Sequence, residues 1–116
     1  MTSILTSIKK LLGIAEDYIH FDPDIIMHIN SVFSVLTQLG MGPQSGFSIV
    51  DETKEWTDFT TMENVEMIKS YMNLKVKILF DPPLSSVVMQ AMKESIQEFE
   101  WRILAATESA VPTTID

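Results

Sequence analysis

His20 and His28 are the only histidines in this 116-residue chain, and they stand eight residues apart with Asp22 and Asp24 between them. Two metal ligands on one helical face need three- or four-residue spacing, as in His-x-x-x-His. This pair lacks it, so surface or capping roles are expected and no metal. The absence of cysteine removes disulfides, thiolate zinc sites and thiol nucleophiles, and leaves the compartment open. Glu94, Glu98 and Glu100 lie on the polar side of the last predicted helix, with Lys93 and Arg102 among them. Glu98 and Arg102 are four apart, the order that makes a weak helix-surface pair. A catalytic acid needs an environment that shifts its pKa, and this stretch reads as a solvated face. No serine sits in a Gly-x-Ser-x-Gly elbow. The glycine-rich stretch Gly40–Gly46 lacks the Lys-Ser or Lys-Thr that completes a phosphate loop. The residue chemistry therefore predicts no enzyme and no cofactor.

What remains is architecture. A chain of this length is one domain and buries roughly two-thirds of its unfolded surface. Hydrophobic residues make up 46%, enough for a packed core. The net charge of −8 argues against nonspecific nucleic-acid binding, which needs Lys and Arg on phosphates. Lys9 and Lys10 interrupt the first apolar run where a signal peptide would place its charges before it. No run of ~18 apolar residues is present, so no membrane span is expected. The reading is a protein of the cytosol, or one assembled there.

The positioning elements follow from periodicity. Ile4, Leu5, Ile8, Leu11 and Leu12 predict a short helix over 3–12, capped by Thr2 or Ser3 and ended by Gly13. Residues 14–21 form a connector pinned by Tyr18 and Phe21. Asp22 is expected as N-cap, with Pro23 at the first helical position. Ile25, Ile26, Ile29, Val32, Phe33, Leu36 and Leu39 then make a wide apolar face up to Gly40. After the glycine loop, Phe47–Val50 reads as a short strand or an extended segment. Residues 51–59 read as a helical turn or two, with Trp56 and Phe59 inward. Thr60-Thr61-Met62-Glu63 has capping-box spacing and opens a third helix to about Phe80. Val65, Ile68, Met72, Val76 and Leu79 are its expected core positions; Met67, Tyr71, Leu74 and Ile78 form a second apolar edge. Pro82 and Pro83 stop it. Ser85 or Ser86 caps a last helix to about Ala106, facing inward with Val88 or Met89, Met92, Ile96, Phe99 and Ile103. Val87, Trp101 and Leu104 fall off that stripe.

The fold class is thus all-α. It is a small bundle of three long helices plus a short N-terminal helix, with an extended loop or short β segment around 47–50. The helical domain spans 1–106 and a mobile C-terminal tail spans 107–116. Eight methionines suit irregular cores and adaptable interfaces. More apolar positions lie off the core stripes than a monomer needs, so an apolar flank is expected to be covered by another subunit or a partner.

In order along the chain stand Asp22-Pro23-Asp24, His28-Ile29-Asn30-Ser31, Leu36-Thr37-Gln38-Leu39-Gly40, Gly42-Pro43, and Gly46-Phe47-Ser48-Ile49. Trp56-Thr57-Asp58-Phe59, Lys69-Ser70-Tyr71, Leu74-Lys75-Val76 and Phe80-Asp81-Pro82-Pro83 follow. Over residues 4–104 this order resembles the small head–tail connector (adaptor) proteins of tailed bacteriophages and prophages. The resemblance implies a structural virion protein of the neck, assembled in the host cytoplasm. It implies a homo-oligomeric ring, a dodecamer in the usual case, beneath the portal protein. A head-completion or tail-terminator protein would follow it, and DNA would pass through the channel without specific binding. It also implies a portal-docking C-terminal segment, mapping here onto Arg102, Ile103, Leu104, Glu108, Val111 and Ile115. Phe47, Ile49, Val50, Met67, Tyr71, Leu74 and Ile78 are the candidate subunit–subunit residues. The competing reading is a small acidic helical regulator or inhibitor of a protein partner. It predicts one concentrated acidic stripe, whereas the acidic residues here are scattered over Asp17 to Glu108.

Overall fold

Residues 3–110 are described by a computed structural model. Five α-helices follow in order: α1 (Ile4–Leu11), α2 (Asp22–Gln38), the single turn α3 (Trp56–Phe59), α4 (Val65–Phe80) and α5 (Ser86–Ala110). A 3₁₀ turn, Met62–Asn64, leads into α4. α4 is the central helix, contacting α1, α2 and α5. Its two apolar edges are both used, which is what a helix greasy on two sides requires.

The core joins Ile4 and Ile8 of α1, Ile25, Ile29, Val32, Phe33 and Leu36 of α2, and Ile68, Tyr71, Met72 and Val76 of α4. Among the described residues α5 adds only Ile96 and Ile103 to the buried set. A fully buried aliphatic side chain contributes about 1.5–3 kcal/mol over an exposed one, so α5 is the long helix held by the fewest such terms. The β-branched α2 has modest intrinsic propensity; its stability comes from this packing.

Several local expectations hold. Ser3 caps α1, its hydroxyl accepting from Thr6 N–H at 3.2 Å. Ser85 Oγ accepts from Val88 N–H at the start of α5. α4 ends at Phe80, just before Asp81-Pro82-Pro83. Trp56 and Phe59 are both buried, and Trp56 Nε1–H donates to Ser7 Oγ at 2.8 Å.

Others are corrected. Asp22 is the first residue of α2 and makes no capping bond; its carboxylate lies 2.8 Å from the Lys9 ammonium. Thr60-x-x-Glu63 makes no capping box, because the 3₁₀ turn intervenes before α4. The reach-back bond instead forms at α3, where Glu55 N–H donates to Asp58 Oδ2 at 2.8 Å. Leu79 is 48% exposed while Tyr71 is fully buried, so the inward face of α4 is rotated from the expected stripe. α5 continues to Ala110, past the end expected at Ala106.

Phe47–Val50 forms no strand, with Val50 at a bend. Its inner edge is held by a side chain: Asn30 Nδ2 donates to Ile49 O at 3.0 Å and Ile49 N–H donates to Asn30 Oδ1 at 2.8 Å. The one bridge among the described residues is Ser3 with Glu55, next to Ile4 N–H donating to Lys54 O at 2.9 Å. The glycine loop makes one close approach. At Gly42 (φ +84°) a Cβ would fall 2.3 Å from the Phe59 ring, so only glycine permits this contact.

Candidate assembly surfaces

Among the described residues no group of three or more His, Cys, Asp or Glu is placed to hold a metal ion. His20 and His28 instead border the aromatic contact of Phe21 with Phe80, ring centroids 5.3 Å apart and edge-on. His20 lies 5.0 Å from Phe21 and His28 6.5 Å from Phe80. This contact is where the connector docks on the end of α4, as expected for Phe21. Tyr18 meets Phe21 edge-on from a half-exposed position.

The connector's main anchor is Lys9, which the periodicity gave no reason to single out. It is 2% exposed, and its ammonium donates to Glu16 O at 2.9 Å and Tyr18 O at 2.8 Å. The Asp22 Oδ1 approach is an ionic contact outside hydrogen-bonding angles. A buried ammonium is tolerated only when paired and hydrogen-bonded in this way.

This clamp sets one wall of an open groove of about 630 Å³ between α1, the start of α2 and residues 49–52. Leu5, Ile19, Pro23, Ile26 and Val50 give it an apolar lining, and Asp22, Asp51 and Glu52 give it an acidic one. The Thr53 hydroxyl and N–H bond Asp51 Oδ1 at 2.6 and 2.9 Å, and these bonds hold its carboxyl below the usual range. Asp51 therefore remains an anion at neutral pH.

A second apolar surface lies where α4 meets α5. Ile78, Leu79 and Ile96 line a cleft of about 310 Å³ bordered by Lys75 and Lys93. Its one carboxylate, Glu100, is already engaged: Tyr71 O–H donates to Glu100 Oε2 at 2.7 Å, with Lys75 Nζ 4.0 Å away. Burial, and then this bond, push the Tyr71 hydroxyl well above its ordinary pKa.

The outer face of α5 is the third surface. Val87 is 77% and Trp101 71% exposed, with Leu84, Val88 and Leu104 also outward. Arg102 pairs with Glu98 across one turn. Near its C-terminal end, Thr107 Oγ1–H lies within hydrogen-bonding distance of Leu39 O at 3.1 Å and Leu104 O at 2.8 Å. A shallow cleft there is lined by Gly40, Pro43, Thr107 and Glu108.

Placed on this geometry, the expected subunit residues separate. Val50 is exposed and Ile49 lies at the groove floor, buried within the single chain. Ile78 lines the α4–α5 cleft. Tyr71 is interior, and Phe47 is half-buried against Phe33 and Phe59. Met67 and Leu74 are half-buried against the core. Of the expected docking residues, Arg102, Leu104 and Glu108 face outward while Ile103 is fully buried. Val111 and Ile115 lie outside the described residues. No described helix is long and apolar enough to cross a membrane.

A family model described as "Phage connector protein" matches residues 4–110. No curated protein and no solved structure gives a match.

Proposed function

The chain belongs to the phage connector protein family, and from that premise we propose that it forms a homo-oligomeric ring beneath the portal protein and extends the DNA channel toward the tail. A connector has a structural role, and its neighbours are portal and tail proteins in general. The finer reading places the protein at the head–tail interface of the virion, with a head-completion or tail-terminator protein on its far side.

The observation that carries this reading is the amount of apolar side chain left outward on α5. Val87 and Val88 stand at its start, next to Leu84 in the preceding loop, and Trp101 and Leu104 near its end. Large apolar side chains grouped on one helix mark a surface made for contact. The Trp101–Leu104 stretch, with Arg102 and Glu108, is the proposed portal-docking surface. A net charge of −8 suits a channel in which DNA slides, because phosphate binds cationic walls.

Cosedimentation with portal rings from the same source tests it. The expected result is binding that Trp101→Glu with Leu104→Glu abolishes while the circular dichroism of the chain is unchanged. Both residues are exposed, so this double change is a cleaner probe than deleting 102–116, which would remove the buried Ile103. Absence of binding by the parent chain to intact portal rings contradicts the reading.

A further inference from the structure

We infer that the acid-rimmed groove beside α2 receives the lysine-flanked α4–α5 edge of a second copy of this chain. The inference rests on the ring reading and names its subunit contact.

The groove offers Leu5, Ile19, Ile26 and Val50 as apolar lining, with Asp51 and Glu52 at its border. Among the described residues, 3–110, no cation is part of its lining. Asp22, its remaining carboxylate, is held by Lys9 from inside. The negative charge at the border is therefore that of Asp51 and Glu52, with Lys54 close enough to act on the Asp51 carboxyl. The α4–α5 edge has the opposite character. Leu79 projects there, Lys75 lies one turn before it, and Lys93 faces it from α5. Glu100 is the only carboxylate lining that cleft and is occupied by Tyr71 and Lys75. An apolar knob beside Lys93, with Lys75 shared with Glu100, thus matches an apolar groove bordered by two anions. The outer α5 residues Trp101 and Leu104 match the groove less well, because Glu98 neutralises Arg102 and Glu108 adds negative charge.

The two surfaces share no residue. A contact between them is heterologous: each subunit gives its edge to one neighbour and its groove to the other, and such a contact closes into a ring or runs on as a filament. Opposite charge at the border fixes the register of the pair and raises its rate of encounter. It also disfavours groove-on-groove and edge-on-edge pairing, where like charges would meet.

The chain has no cysteine, so the contact can be trapped without background. Val50→Cys and Leu79→Cys change exposed positions, and a urea melt checks that each variant folds. The variants are oxidised free in solution and on portal rings. The expected result is a covalent ladder beyond the dimer for the chain carrying both changes. A mixture of the two single variants should stop at the dimer. Glu52→Lys alone and Lys93→Glu alone should each lower the yield about fivefold, and the two together should restore it.

Oligomers seen by sedimentation or on the portal without this ladder overturn the contact and leave the ring reading standing. A ladder indifferent to both charge reversals overturns the matching of the two surfaces. A chain that stays monomeric in solution and on the portal overturns the ring reading and the contact with it.

Discussion

Asn30 acts as a strand for Ile49. Its carboxamide accepts from Ile49 N–H at 2.8 Å and donates to Ile49 O at 3.0 Å, the pair of bonds that a neighbouring strand would supply. A lone strand is unstable without a partner; Ile49, which lies in no strand, takes its partner from a single side chain of α2. The outer edge of the segment turns Val50 to solvent at 81% exposure.

Asn30→Ala therefore removes two hydrogen bonds and should cost about 2 kcal/mol in urea unfolding, at ~1 kcal/mol per bond. Asn30→Asp keeps the acceptor and loses the donor, so its cost should be about half that of the alanine change. Equal costs would show that the bond from Ile49 N–H contributes nothing.

Lys9 holds two connector carbonyls and Asp22 at once. Lys9→Met should destabilise the chain by about 3 kcal/mol, since it leaves a carboxylate and two carbonyls without their cation. Asp22→Asn in the same chain should recover part of the loss, and a double-mutant cycle in urea measures the coupling.

The Tyr71 bond to Glu100 predicts an alkaline signature. Burial and Glu100 raise the folded pKa of Tyr71 above its ordinary value of 10.0. Below that ordinary value the hydroxyl is protonated folded or unfolded, and stability carries no pH dependence from it. Above it the unfolded chain loses the proton first, so stability falls as pH rises, with a slope of up to ~1.4 kcal/mol per pH unit. Tyr71→Phe should abolish that component when urea midpoints are compared from pH 9 to 11. Identical slopes in the two chains would contradict the assignment.

Gly42 and Gly46 both have positive φ, +84° and +95°, but only Gly42 meets the Phe59 ring. Gly46→Ala should cost about 1 kcal/mol from backbone conformation alone. Gly42→Ala should cost at least ~2 kcal/mol, because the ring must also move. Thermal melts of the two variants give the comparison.

The helices were legible because apolar spacing and breakers agree. Ile25, Ile29, Val32 and Phe33 fall inward as their periodicity requires, and Gly13, Gly40 and Pro82 mark ends. The Lys9 clamp was not legible. A lysine in an apolar run reads as a snorkelling surface residue until its carbonyl partners, seven and nine positions on, are brought to it. The swap between Leu79 and Tyr71 has a related cause. Tyr71 is drawn inside because Glu100, distant in sequence, satisfies its hydroxyl. Thr107 extends α5 in a similar way by reaching Leu39 O, a tertiary bond that local propensity does not encode. Of the candidate surfaces, the outward Val87, Trp101 and Leu104 could be read from helix phase. The groove could not, since it is assembled from α1, the start of α2 and the segment after Ile49.

The central claim is that this chain builds a ring on the portal. Imaging of portal rings incubated with an excess of the protein tests it most directly. The account predicts an added annulus of identical helical subunits on the portal's tail-facing end, coaxial with the channel and lost with Trp101→Glu/Leu104→Glu. Intact portal rings that remain bare, or that carry the protein at scattered positions off the axis, would contradict it.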